Sequence, residues 1–210
     1  MLKVCFLFDK KNNWLLEKTK ATFKTKKKYN FFFSENLNKV RNFDVVFILG
    51  YTKILKNNFL KKNKLNLVVH ESNLPKGKGF APVQWQVLKN KNRIPICLIK
   101  ADKKYDSGEI YVKDYFRIKK TDLYEEIRAH QANATIRVIK SFLKSYPNLS
   151  GKKQKGKSTY FKRRAKKHSE ISINKSLKSQ FNILRISNNR NWPTFFYFKG
   201  IKYILKIKKG

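Results

Sequence analysis

At 210 residues and 25.0 kDa the chain is long enough for one sizeable domain, and 41% hydrophobic with 14% aromatic residues excludes a disordered basic tail. The net charge of +37 suggests nucleic acid, but 41 Lys against 9 Arg carry it, spread along the chain with Asn, Ile and Phe. An AT-rich genome encodes those residues by default, so charge alone does not define a nucleic-acid-binding protein.

Leu2–Phe8 reads as a first strand, Asn12 to about Thr22 as a helix, and Tyr29–Phe33 as a second strand. Asp44–Leu49 is a near-continuous apolar run ending at Gly50-Tyr51, the pattern of a central parallel strand followed by a loop. Leu65–Val69 is another such run and ends at His70. A Pro/Gly/Lys loop follows, then a helix over Ala81–Leu88 with Pro82 in its first turn and Trp85 packing it onto the sheet. Ile94–Ala101 and Glu109–Val112 are expected strands flanking the Asp106 loop. Thr121 opens a long helix in capping style, with acids in its first turn and Ala129, Ala132, Ile136, Ile139 and Leu143 as its stripe, until Tyr146-Pro147 stops it. Gly151–Gly156 reads as a Lys/Gly linker. Beyond it helical periodicity fades, and Thr194–Phe198, Lys199-Gly200 and Ile201–Ile207 form a hairpin signature.

Alternating strands and helices predict an α/β fold. Its expected form is an open, mainly parallel, Rossmann-like sheet with helices on both faces and a short C-terminal β-hairpin appendage. The expected organisation is a catalytic domain over 1–150 and an extension over 151–210 that contacts the acceptor or a second copy in a homodimer. Cys5 and Cys97 lie inside apolar runs and read as small buried thiols; no Cys/His cluster has zinc spacing, so no metal is expected. No apolar run approaches ~18 residues, and a cytoplasmic protein with no membrane partner is expected.

Ligands of open α/β sheets bind beyond the carboxyl ends of the strands. Gly50-Tyr51, His70 and Asp106 all fall there, whereas His130 and His168 read as structural or exposed. The run His70-Glu71-Ser72-Asn73-Leu74-Pro75-Lys76-Gly77-Lys78-Gly79, with Asp106-Ser107-Gly108 further on, resembles the His-x-Ser-x-Leu-Pro and Asp-x-Gly loops of the 10-formyltetrahydrofolate-dependent formyltransferases. That family includes methionyl-tRNA formyltransferase, glycinamide ribonucleotide transformylase and the nucleotide-sugar N-formyltransferases. The resemblance is clearest over 44–112. It is weaker over Tyr160–Arg164 and Phe181–Gly200, where Leu184-Arg185 and Trp192–Phe196 echo the family's C-terminal segment.

The resemblance implies transfer of a formyl group from 10-formyltetrahydrofolate to an amine. His70 would handle the proton and Asp106 would orient it. Gly50, Tyr51, Lys53, Ile54 and Leu55 would hold the pterin, with Asp102 on its other edge. Lys76, Gly77, Lys78, Gly79, Arg163 and Arg164 would meet the acceptor, Lys78 standing where the family has Arg. The run most resembles stand-alone sugar formyltransferases of surface-polysaccharide clusters, which implies the amine of a nucleotide-linked aminodeoxy sugar. Methionyl-tRNA or glycinamide ribonucleotide is the alternative acceptor, and a non-catalytic nucleic-acid-binding protein is the reading outside the enzyme class. One position departs from the pattern. The family places an Asn two residues before the His, as donor to the formyl oxygen, and here that position is Val68. Asn66 shares the strand face, roughly 6–7 Å further back, and Ser72 or a backbone N–H is the substitute donor expected.

Overall fold

A computed structural model of the chain describes residues 1–25, 27–51 and 55–210. In chain order the elements are β1 (Leu2–Phe8), α1 (Leu16–Thr22), β2 (Tyr29–Ser34), β3 (Val45–Leu49), α2 (Asn57–Leu60), β4 (Leu65–His70), β5 (Lys78–Gly79) and α3 (Pro82–Leu88). They continue with β6 (Arg93–Lys100), β7 (Ile110–Arg117), α4 (Tyr124–Ser145), β8 (Tyr160–Phe161), α5 (Leu177–Arg185), β9 (Thr194–Phe198) and β10 (Ile201–Leu205). The main sheet has the order β2-β1-β3-β4-β6-β7. Its first four strands are parallel; β6 runs antiparallel to β4, and β7 to β6.

β3 is buried along its whole length and β1 from Val4 to Phe8, because both faces of the sheet are covered. On one face Phe6, Phe8, Phe47 and Leu49 pack with Leu15 and Phe23 and with Ile127, Val138 and Phe142 of α4. On the other, Cys5, Leu7, Val46 and Ile48 meet Val40 and Phe59, and α2 lies on this thinner layer. The two cysteines are free and buried, and burial pushes the Cys5 thiol up to about 12.

Local bonding moves several expected boundaries. α1 starts at Leu16, not Asn12, because Asn12 Nδ2 donates to Gly50 O (2.7 Å) and Asn13 Nδ2 to Glu35 Oε1 (2.9 Å). α4 starts at Tyr124, not Thr121. Asp122 instead accepts from the Lys119 N–H (2.6 Å) and pairs with His130 (3.2 Å), while Glu126 accepts from the Leu123 N–H (2.9 Å). Trp85 does not pack α3 onto the sheet; its Nε1 donates to Lys162 O at 2.8 Å and its ring meets His168.

The C-terminal region differs most from expectation. The Gly151–Gly156 stretch is fixed to the sheet: Lys152 pairs with Ile110, and Gln154 Nε2 donates to the carbonyls of Asp106 (2.8 Å) and Gly108 (2.9 Å). α5 was not expected, because its buried side is made of Gln180, Leu184 and Arg185 in place of an apolar stripe. Arg185 donates to Asp122 O (3.0 Å) and to Lys119 O, and burial holds its guanidinium below the ordinary arginine value. β9 and β10 form the expected hairpin, which ends at Leu205.

Candidate active site

β4 delivers His70 to the carboxyl edge of the parallel strands, and the ring is buried. His70 Nε2 lies 2.8 Å from Gly77 O, and a carbonyl only accepts, so this nitrogen carries a hydrogen. His70 Nδ1 lies 3.4 Å from Asp106 Oδ1. Both ring nitrogens therefore face acceptors. The second Asp106 oxygen, Oδ2, accepts from the Gly79 N–H at 2.8 Å. Asp106 itself has φ +48°, unusual for a residue other than glycine, and its loop is held by Gln154.

The loop between His70 and α3 is clamped by β8 and the residues before it. Thr159 accepts from the Gly77 N–H through its carbonyl (3.0 Å) and its hydroxyl (2.9 Å), and β5 pairs in parallel with β8. Gly79 has φ +99°, and a Cβ there would stand 2.5 Å from Phe161 O, so close packing and backbone conformation both require glycine.

His70 and Asp106 open into a cavity of about 650 Å³. One wall is apolar: Ile48, Leu55, Leu60, Val68 and Ile99. Gly50-Tyr51 and Ala101-Asp102 edge that wall, and burial together with the nearby Asp9 carboxylate raises the Tyr51 phenol above its ordinary value. A second wall comes from Trp14 and from Tyr124, Arg128, Gln131 and Thr135 of α4, with Glu71 beside His70. A hollow of about 1220 Å³ near α5 is lined by Lys120, Lys167, Lys175 and Lys178 and, among the described residues, by no histidine.

The structure brings together His70, Asp106, Gly50, Tyr51, Leu55, Asp102, Gly79, Arg163 and Arg164 as cavity residues. Lys53 and Ile54 lie outside the described residues. Four expected residues stand elsewhere. Lys76 is exposed away from the cavity. Lys78 is buried with Nζ donating to Ser107 Oγ at 3.1 Å, and Gly77 packs on the Phe161 ring, so neither is open to an acceptor. Ser72 is buried behind the loop; its carbonyl accepts from Cys97 Sγ (3.2 Å), and its hydroxyl has no partner and does not line the cavity. It therefore does not stand in for the missing Asn. Asn66 is engaged as well, donating to Leu60 O at 2.8 Å.

Arg163 lies 4.5 Å from the Phe80 ring centroid. Arg164 Nη2 donates to His168 O (3.1 Å) and Ser169 Oγ (3.0 Å), while its Nε is buried with no partner. Burial lowers the affinity of this guanidinium for its proton. Sequence reasoning missed Trp14, Glu71, Arg128 and Gln131. Glu71 and Gln131 are the two that a motif next to His70 and a polar residue inside the α4 stripe could have signalled.

Residues 4–142 match the family model described as "Formyl transferase". The chain belongs to the formyl transferase family. It is 30% identical over 178 residues to a methionyl-tRNA formyltransferase of Caldicellulosiruptor saccharolyticus, covering 83% of this chain and 56% of that protein. The chain thus spans about half the length of the curated relatives it matches. Among solved structures, methionyl-tRNA formyltransferase from Clostridium thermocellum superposes with a TM-score of 0.82 at 20% identity, over 96% of this chain and 90% of that one. A 4-N formyltransferase from Francisella tularensis gives 0.72 at 14% identity, over 98% and 97%. HypX from Aquifex aeolicus in complex with tetrahydrofolic acid gives 0.71 at 14% identity, over 97% and 37%.

Proposed function

We propose that this chain transfers a formyl group from 10-formyltetrahydrofolate to the primary amine of a phosphate-bearing acceptor, with a nucleotide-linked aminodeoxy sugar as the first reading. The observation that carries it is the His70–Asp106 pair at the floor of the cavity. The apolar wall of Ile48, Leu55 and Ile99, edged by Gly50-Tyr51 and Ala101-Asp102, suits a flat ring rich in amide groups. The folate would supply the formyl carbon. As the amine nitrogen bonds to the formyl carbon and the bond from that carbon to the folate nitrogen breaks, the His70 Nε2–H would turn from Gly77 O toward the formyl oxygen and the amine's proton would pass to the departing folate nitrogen, while Asp106 orients the ring. Arg163, set against the Phe80 ring, is the first cation for the acceptor's phosphate, with Arg164 lining the same cavity. In this reading residues 1–150 carry the chemistry and residues 151–210 buttress it and contribute these two arginines.

The test is mass spectrometry of a panel of nucleotide amino sugars incubated with protein and formyl donor. A mass gain of one formyl group is expected for one of them; none across the panel overturns the sugar reading. The second reading, methionyl-tRNA, is favoured by the +37 charge and by the curated relatives. It requires tRNA binding that weakens steeply with salt, whereas a nucleotide sugar's binding responds far less.

Val68 gives an independent check. It sits in the apolar wall beside Ile48 and Ile99, on the strand face that His70 shares. Val68→Asn is expected to raise kcat by about 10- to 100-fold by adding a donor for the oxyanion, at a stability cost of about 1–3 kcal/mol for burying the amide. A folded, folate-binding variant with unchanged or lower kcat would show that His70 alone fills the role.

A further inference from the structure

Glu71 is the carboxylate that the chemistry above leaves unused. Its backbone is pinned, the carbonyl accepting from Gln86 Nε2 at 2.7 Å. Its side chain is also aimed: Oε1 accepts from Gln131 Nε2 (2.6 Å), whose Oε1 accepts from Arg128 Nη1 (2.9 Å). Arg128 is fixed in turn by Tyr124 OH (3.0 Å) and by the Trp14 ring, 4.5 Å away. All five of these side chains line the cavity.

Two features make this wall a receptor and not a solvated surface. In a chain with 50 Lys and Arg against 13 acids, Glu71 enters no ion pair among the described residues. Among the described residues its side chain accepts from the Gln131 amide and no other group, which leaves Oε2 to a cation or a strong donor. One turn further along the same face of α4, Thr135 lines the cavity and its hydroxyl is buried without a partner. A buried polar atom without a partner is costly unless a ligand or water completes it.

Neutral pH keeps an aliphatic amine largely protonated. We propose that Glu71 receives the acceptor's ammonium, and that the Arg128–Gln131–Thr135 wall is the subsite that selects an amine over a hydroxyl. The proposal rests on the formyl-transfer reading for its amine, but binding tests it without turnover. The pairing of a carboxylate with an amine beside His70 also explains why Arg128 reaches Glu71 only through Gln131: a direct guanidinium contact would fill the place of the ammonium.

Two ligand pairs serve as probes in calorimetric titration: a dTDP-linked amino sugar against the same sugar with a hydroxyl in place of the amine, and methionine amide against its hydroxy analogue. The wild type is expected to prefer the amine of at least one pair by about 10- to 100-fold, the worth of a charge-assisted bond. Glu71→Gln, which can still accept from Gln131, is expected to erase that preference while leaving the hydroxyl ligand's Kd unchanged. Gln131→Met keeps the charge and loosens it, and an intermediate preference is expected. No preference in either pair, or equal loss of both members in Glu71→Gln, overturns the proposal. Folate binding, read on the same samples by Trp14 and Trp192 fluorescence, separates this from the donor reading: wild type that prefers the amine but ignores folate overturns only the latter.

Discussion

His70→Ala is expected to lower kcat for formyl transfer by about 10³-fold, within the range of a lost general acid or base. The substitution removes the one histidine among the described residues of the cavity, together with the groups facing Gly77 O and Asp106 Oδ1. Stability should fall as well, by about 1–3 kcal/mol, because the Gly77 carbonyl is then buried without its partner. Asp106→Asn separates the roles more cleanly. One amide atom must face the Gly79 N–H, which only an oxygen can accept, so the NH2 is forced toward His70 Nδ1. That nitrogen must then be an acceptor, the ring holds hydrogen on Nε2 alone, and no carboxylate charge stands beside it. A kcat loss of about 10²- to 10⁴-fold with folate affinity within threefold is expected. Turnover of His70→Ala within tenfold of wild type, on an acceptor that the wild type formylates, would sink the catalytic assignment. A change confined to acceptor KM in Asp106→Asn would make Asp106 a binding residue.

What was legible in the sequence follows the physics of each signal. Buried parallel strands write themselves as unbroken apolar runs, so β1, β3 and β4 were readable, and their carboxyl ends located Gly50, His70 and the cavity. The hairpin was readable from alternation and its Lys199-Gly200 turn. α5 was not, since Gln180 and Arg185 do the anchoring that apolar residues usually do and leave no stripe. Lys76 and Lys78 were misassigned because a Gly/Lys loop looks the same in sequence whether it faces a ligand or a neighbouring strand. Here Thr159, 82 residues beyond Gly77, and the adjoining β8 decide the matter by taking up the loop's N–H groups. The same blindness hid Glu71 and Gln131, which are 60 residues apart in sequence and 2.6 Å apart in space.

Gly108 is where that long-range packing should show its largest mechanical effect. The Asp106 loop returns along the end of β6, and the Lys100 N–H donates to Glu109 O at 2.8 Å. A Cβ built at Gly108 would lie 1.9 Å from Lys100 O and 2.8 Å from its carbonyl carbon, both of them backbone atoms in the sheet. No rotamer change relieves a backbone clash, so Gly108→Ala must lift the loop by roughly 1 Å or more, against the two bonds from Gln154 that hold it. Asp106 moves with it, away from both His70 Nδ1 and the Gly79 N–H. A displacement of about 1 Å is worth on the order of 10²-fold in rate, and overpacking costs about 3 kcal/mol. The expected result is therefore a kcat loss near that of Asp106→Asn, measured well below a lowered Tm so that the chain is still folded. Gly210→Ala, with nothing within 4 Å of its Cβ, should match wild type in both measurements. If Gly108→Ala kept wild-type kcat, the loop could reach its position without resting on β6, and the Asp106 carboxylate would not depend on that contact for its place beside His70.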